Sequence, residues 1–374
     1  MADRYTKTET TGWFGRIGRS FVGVILGLLL FFGSFALIYI NEGRTDFSKL
    51  ARKSVEIALE GATEKAQGKV VSTTGAITTT ETIGDNEFLK SDTYLAFWRE
   101  VEMFAWEENS SSETTKNTGG SETTETTYTY SKAWSSSPEN SSFFEVPDGH
   151  ENPELTIEDE YGAAQQMTIG VYQLRGDRLT LPQPDAPLKP SPETIEVNDD
   201  IALDGDYLFQ GAGTLSAPEI GDVRIQYYTL PSGANLTVFG QLEGNNAINP
   251  HVNRRQETFY RALDGTRQEA IAELKNEYKA ALWIFRIVGF FMMWFGLMLV
   301  AEPLGVFLDF FPFVGSIFRS VSGIASFGVT FLLWSATVII SILLHNIVAL
   351  IAAVIVIFGA WFGVRRLISK QDDG

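Results

Sequence analysis

No cysteine occurs among the 374 residues. That excludes disulfides, thiolate nucleophiles and zinc–thiolate centres together, and leaves the redox compartment open. Histidine is almost as scarce. His150, His251 and His345 are scattered along the chain, whereas a metal site favours two ligands within one helix turn or tight loop. His150 with Glu151 is the one adjacent pair of ligand type that includes a histidine, and its plain reading is a capped turn before Pro153. Gly-x-Ser-x-Gly, His-Glu-x-x-His and P-loop strings are all missing. Acidic runs do occur, at Glu158-Asp159-Glu160 and Asp199-Asp200. Acid–base work requires burial that splits two carboxyl pKa values, and runs in polar loops are usually solvated. Asn198-Asp199-Asp200 with Asp204-Gly205-Asp206 has the oxygen density that calcium favours, without the twelve-residue EF-hand spacing. The expectation is a protein that is no enzyme and holds neither metal nor cofactor.

Charge is also missing where it would matter most. Four apolar runs, Phe21–Ile40, Leu282–Ala301, Val321–Leu344 and Ile347–Val364, approach or exceed the roughly 20 residues that cross a hydrocarbon core. Their centres carry no ionisable side chain, which argues against an ion-coupled transporter. Arg286 sits near one end of the second run and is expected to snorkel to the interface. Mean hydropathy is only +0.01, because the stretch between the first two runs is polar. From Thr45 to Ala281 it holds 19 Lys+Arg against 39 Asp+Glu, a net charge of −20. A segment this acidic repels nucleic acid, so no nucleic-acid partner is expected.

The spacing predicts an α+β membrane protein with four transmembrane helices, one N-terminal and three C-terminal. A large β-rich domain with helical stalks is inserted between helices 1 and 2. The expected parts are a tail over 1–20, spans over 21–40, 282–301, 321–344 and 347–364, an extramembrane domain over 41–281, an interfacial loop over 302–320 and a tail over 365–374. The first run is too long for a signal-peptide core and lacks a clear cleavage site, so it reads as an uncleaved anchor. Arg4, Lys7, Arg16 and Arg19 before it, and Arg365, Arg366 and Lys370 at the end, place both termini in the cytoplasm. Inside the domain, alternation over Tyr94–Glu107 predicts a strand with Val101, Met103 and Ala105 buried, returning as Tyr128–Trp134. Asn109–Thr127 between them is a disordered loop or the exposed turn of a long hairpin. Asp46–Glu64 and Arg254–Ala281 read as helical stalks, and Pro182–Pro192 as a linker or crossover, near which the domain splits into two possible subdomains. Tyr207–Phe209, Val223–Thr229 and Leu236–Gln241 read as short strands.

Small residues four apart allow helix backbones to approach. Such faces are formed by Gly23 with Gly27, Ser322 with Ser326, Ala349 with Ala353, and Gly359 with Gly363. They are expected to bring the first span back onto the later ones or onto a second copy. Phe307, Phe310, Phe311, Pro312 and Phe313 form an aromatic segment suited to the membrane interface, with lipid as its partner.

Several strings taken in order carry a family resemblance. They are Asn41-Glu42-Gly43-Arg44, Val101-Glu102-Met103-Phe104-Ala105-Trp106, Tyr128-Thr129-Tyr130-Ser131-Lys132-Ala133-Trp134, Gly149-His150-Glu151-Asn152-Pro153, Gly221-Asp222-Val223-Arg224-Ile225 and Asp309-Phe310-Phe311-Pro312-Phe313. The chain resembles the transmembrane protein 43 (LUMA) family over nearly its whole length. The resemblance implies four spans and a large domain in the endoplasmic reticulum lumen or an equivalent space. In animals it implies the endoplasmic reticulum and nuclear inner membrane, with lamins and emerin as partners in nuclear envelope organisation. For a bacterial chain it implies an inner-membrane protein with a periplasmic or extracellular domain, and only membrane organisation carries over. The function expected is a non-enzymatic membrane scaffold acting with other membrane proteins, as a homo-oligomer. A channel or channel-regulating subunit, and a membrane-bound hydrolase, remain as alternatives.

Overall fold

The computed structural model describes residues 3–346 except 63, 86, 118, 197–200, 245 and 312, and beyond them residues 350, 351, 355 and 356. The expected fourth span over 347–364 and the tail over 365–374 therefore lie outside the described residues, apart from those four positions. The chain forms two compact units. One comprises residues 1–7, 46–112 and 126–276, and the other residues 8–45, 113–125 and 277–374.

The first unit is rich in β-structure. In one of its sheets Val223–Pro231 lies antiparallel to Tyr94–Lys116, with Ile225 opposite Val101 and Val223 opposite Met103. Period-2 alternation sends Phe97, Val101, Met103 and Ala105 into a core shared with Leu208, Ile225 and Tyr227. Glu122–Ser135 pairs on the other side of Tyr94–Lys116 and completes the hairpin. The Asn109–Thr127 stretch is thus the outer part of a long hairpin. Strand structure persists to Lys116 because Ser112 meets Thr126, and Thr114 meets Thr124, through hydroxyl pairs at 2.8 and 3.0 Å.

The second sheet closes on itself. Five of its strands, in chain order, are Val70–Thr78, Gln166–Ile169, Tyr172–Arg175, Asn235–Glu243 and Ala247–Asn249. The first pairs with the second and fourth, the second with the third, and the fourth with the fifth, all antiparallel. The third and fifth are parallel and complete the ring. This connectivity, 1-2-3-5-4 and back to 1, is that of the five-stranded Greek-key barrel called the OB fold. Val71, Ile77, Met167, Ile169, Leu174, Val238, Leu242 and Ile248 fill its interior. The second and third strands are joined by a two-residue turn, where Gly170 takes φ 56 as a tight hairpin requires.

Both sheets draw strands from before and after residues 182–192, so that stretch does not divide the unit into two sequential subdomains. The helical stalks are also shorter than expected. Only Phe47–Lys53 (α2) is helical after the first span, and Val55–Glu56 is already a strand. Phe259 and Leu263 belong to strands Thr258–Phe259 and Arg261–Asp264, not to a helix. The helix starts at Arg267 because a capping box precedes it. Thr266 N–H donates to the Glu269 carboxylate at 2.8 Å, and Glu269 N–H returns to the Thr266 hydroxyl at 3.4 Å. Arg267 in turn caps the end of α2 by donating to the carbonyls of Ala51 and Ser54.

The long helices are Trp13–Glu42 (α1), Arg267–Leu308 (α3) and Val314–His345 (α4). Among the described residues these three are long and apolar enough to cross a membrane, and the fourth span expected from sequence lies outside them. Each outruns its expected span. Residues 1–20 are not a free tail, because Arg4–Thr11 is a strand paired with Glu122–Ser135 and α1 begins at Trp13. The expected interfacial loop over 302–320 shrinks to the connection 309–313. α3 runs on through Pro303, and Asp309 N–H closes its last turn on Gly305 carbonyl.

Candidate functional site: two polar clasps on an apolar bundle

Within the helical unit, the most lipid-like window of each long helix is only 17% buried. Phe21, Ile25, Leu29 and Phe32 on α1, and Ile324, Leu332 and Ile339 on α4, are exposed. An apolar surface of this extent is stable only against lipid or protein. Three layers of contact hold these helices to one another.

The first layer lies where α1 ends, and it accounts for the string Asn41-Glu42-Gly43-Arg44 residue by residue. Asn41 Nδ2 donates to the Leu282 carbonyl at 2.9 Å. Glu42 receives Arg286 Nε and Nη2 at 2.7 and 2.9 Å, a bidentate pair with side chains 4% and 13% exposed. Gly43 leaves room for His345, whose Nε2 would stand 2.7 Å from any Cβ at that position. Arg44 lies over the Phe285 ring at 5.1 Å. The Arg286 carbonyl accepts Trp334 Nε1 at 2.8 Å, which draws in α4. Arg286 is therefore held by a carboxylate inside the bundle instead of snorkelling outward. Glu42→Gln leaves the guanidinium half-matched in a site with little water. It is expected to lower bundle stability by about 2–4 kcal/mol, read as a fall in thermal midpoint in nanodiscs. The Glu42→Arg/Arg286→Glu exchange should recover part of that loss.

The middle layer is glycine on glycine. A Cβ on Gly27 would come within 2.7 Å of the Gly296 carbonyl oxygen and 2.9 Å of Leu299 Cβ. Gly23, one turn away, faces Leu299. Gly27 is thus at the closest helix contact, whereas Gly23 has slack. Ser322 donates to Arg319 carbonyl on its own helix, and Ser326 is half-buried. Ala349, Ala353, Gly359 and Gly363 lie outside the described residues, as does Pro312.

The third layer lies where α1 begins, and no local sequence pattern announces it. Its hub is Asp309. One carboxylate oxygen receives Arg319 Nη1 at 2.8 Å. The other receives Arg319 Nη2 at 2.5 Å and Arg16 Nη2 at 2.7 Å. Arg319 Nε also reaches Glu302 at 3.0 Å. Arg16, only 5% exposed, further contacts the Gly120 carbonyl and Glu122 at the hairpin tip. Burial alone would raise the Asp309 carboxyl, but hydrogen bonds from Arg319 and Arg16 outweigh it and hold the pKa at about 2. A depressed carboxylate contributes stability above its unfolded pKa and loses it as pH falls through the folded one. This clasp should therefore hold at neutral and mildly acidic pH and weaken only as pH falls from about 4 toward 2. A pH series of the bundle's thermal midpoint, compared with Asp309→Asn, checks this. Trp13 Nε1 donates to the Val306 carbonyl at 2.8 Å and packs near Phe307 and Phe310. Phe307, Phe310 and Phe311 are more than half exposed, and Phe313, at left-handed φ 66, is 82% exposed.

The hairpin tip thus sits at the start of α1, whereas Arg44 follows the other end of that helix.

Three of the residues considered for chemistry, His150, Asp159 and Glu160, have structural partners. His150 is 2% exposed, bonds through Nδ1 to Val146 carbonyl at 3.0 Å and stacks on Tyr130 with ring centroids 3.9 Å apart. Asp159 accepts the Val101 N–H at 2.8 Å, and Glu160 faces Arg99 at 3.3 Å. Asp199 and Asp200 lie outside the described residues. No group of three or more His, Asp or Glu side chains able to hold a metal occurs among the described residues.

Residues 103–347 match the family described as transmembrane protein 43. Transmembrane protein 43 of Rattus norvegicus is 25% identical over 334 residues, covering 83% of this chain and 81% of its own length. The Homo sapiens protein of the same name is 26% identical over 343 residues, with coverages of 83% and 84%. The transmembrane protein 43 homolog of Drosophila melanogaster is 23% identical over 288 residues, covering 73% and 74%. None of these names describes an enzymatic activity. No solved structure matches the chain.

Proposed function

This chain belongs to the transmembrane protein 43 family, and we propose from that membership and from the build of its bundle that it is a non-enzymatic integral membrane scaffold. The observation that carries the reading is the contrast between the two kinds of helix surface. Polar and glycine contacts fasten the helices at three levels, while most of each apolar window remains free for lipid or for further helices. A rigid bundle with unused apolar faces is suited to gathering copies of itself and other membrane proteins. The exposed phenylalanines from Phe307 to Phe313 add an interfacial anchor. In a nucleated host the partners would be those of the nuclear envelope, lamins and emerin, reached from the endoplasmic reticulum and inner nuclear membrane. In a bacterium the same build would organise the inner membrane from an external domain.

Native mass spectrometry of the full chain in lipid nanodiscs tests the reading. Discrete homo-oligomers, or stoichiometric co-purifying membrane proteins with retained lipid, are expected. A bare monomer at every concentration overturns it. Single-channel conductance from purified protein would favour the channel alternative instead.

A further inference from the structure

A groove of about 590 Å3 opens on the outside of the OB-type barrel. It lies across the second and third barrel strands, between the end of the first strand and the fifth. Alternation places Met167, Ile169, Tyr172 and Leu174 inside the barrel and turns Gln166, Thr168, Gln173 and Arg175 outward. Thr78 and Asn249 border the same groove from the first and fifth strands. Its floor is therefore mainly hydroxyls and amides, with Met167, Leu174 and Ala247 reaching it between them. Thr78 and Thr168 share a hydroxyl pair at 3.0 Å, and Arg175 is already neutralised by Asp177 at 3.0 Å. The side-chain amides of Gln166 and Gln173 have no protein partner among the described residues, so each offers one acceptor and two donors.

Three properties narrow what fits. Most of the lining side chains are polar, which disfavours lipid tails and apolar peptides. It offers no unpaired cation, and the surrounding domain carries a net charge of −20, which repels phosphate chains and polyanions. An amide that both donates and accepts matches the paired hydroxyls of a sugar ring. In barrels of this connectivity, the face of the second and third strands, flanked by the first–second and fourth–fifth connections, binds oligonucleotides or oligosaccharides. Electrostatics removes the first of those ligand classes here. We propose that this groove binds a neutral oligosaccharide, with Gln166 and Gln173 as its principal hydrogen-bonding residues.

The test uses full-length protein in nanodiscs, since sugar-headed detergents would compete. Maltotetraose and the tetramer of N-acetylglucosamine are titrated by ligand-observed NMR, with a thymidine oligonucleotide as the charged comparison. In a separate arm, liposomes bearing a neutral glycolipid are floated with the protein, which distinguishes a lipid-borne sugar from a free chain. Saturable binding of a neutral sugar in either arm is expected. The Gln166→Ala/Gln173→Ala double variant should weaken it tenfold or more, with the thermal midpoint unchanged because both side chains are exposed. No sugar binding in either arm at millimolar concentration overturns the proposal. So does sugar binding that the double variant leaves intact, or a preference for the oligonucleotide.

Discussion

Asp85→Ala is expected to destabilise the β-rich unit by about 3–5 kcal/mol, the range found when one partner is removed from a buried ion pair. Asp85 has no exposed side-chain surface, and its partner Arg99 is 4% exposed. One carboxylate oxygen accepts the backbone N–H groups of Glu87, Phe88 and Leu89 at 3.0, 2.9 and 2.8 Å. The other takes Arg99 Nη1 at 2.8 Å and the Tyr227 hydroxyl. Burial pushes the Asp85 carboxyl up, but the Tyr227 hydroxyl and the three N–H donors outweigh it, so its pKa lies below the usual value. The Tyr227 hydroxyl moves the other way, raised by burial and by Asp85. Deleting the carboxylate removes the fully buried partner of Arg99, which keeps Glu87 and Glu160, and strands three N–H groups. Tyr227→Phe removes one donor only and should cost about 1 kcal/mol. Denaturant unfolding followed by near-UV circular dichroism separates the two. A loss at Asp85→Ala no larger than at Tyr227→Phe would show that water replaces the carboxylate. The same geometry sets the pH response. The Asp85 contribution is complete above its unfolded pKa near 3.8 and is lost as pH drops through the lower folded value.

Gly27→Leu is expected to part α1 from α3. At this position even a methyl group meets the Gly296 carbonyl, Leu299 Cβ and the Val300 nitrogen, all within 3.1 Å. Two of those three atoms are backbone and cannot rotate away. Overpacking of a fitted contact typically costs 1–3 kcal/mol, and a leucine adds volume well beyond the first methyl. Gly23→Leu, where the nearest atom is a flexible Leu299 methyl at 3.7 Å, serves as the matched control with a much smaller effect. The absence of native cysteine makes the measurement direct. A cysteine pair at Gly33 and Met292, which face each other with a Gly33 Cβ 3.6 Å from Met292 Cε, joined by a short bismaleimide should link in the parent and in Gly23→Leu, and should link poorly in Gly27→Leu. Equal linking in all three would refute the close contact.

Much of this molecule could be read from local pattern, and the misses share a cause. Alternation over Tyr94–Glu107 placed Val101, Met103 and Ala105 inside, and the same alternation puts Arg99 on that inward face. A cation there demands a buried anion, so a partner was foreseeable even though Asp85, fourteen residues earlier, was not. The Thr266-x-x-Glu269 capping box was likewise present in the sequence, and it would have moved the start of α3 from 254 to 267. The strings that carried the family resemblance prove to be contacts, with Asn41 to Arg44 linking α1 to α3 and α4. Barrel closure was not legible, because the parallel pairing of Tyr172–Arg175 with Ala247–Asn249 joins segments over 70 residues apart and leaves no local trace. The Asp309 clasp escaped for the same reason. It gathers Arg16, Gly120 and Arg319 from three distant stretches, each of which reads alone as an ordinary charged or turn residue.

The strand Arg4–Thr11 has a consequence in time. Thr6 meets Thr127, 121 residues further along the chain. At translation speeds of roughly 5–20 residues per second, its partner emerges about 6–24 s after it does. α1 is made at once and enters the bilayer long before that. For that interval the first strand is an open edge with unpaired N–H and C=O groups, the kind of edge that recruits a neighbouring chain. Its sequence, Arg-Tyr-Thr-Lys-Thr-Glu-Thr-Thr, alternates charge and hydroxyl with a single aromatic, a composition that keeps a waiting strand soluble. The first strand therefore waits for the hairpin to return to the residues made first, and the Arg16–Gly120 contact fastens only when that has happened.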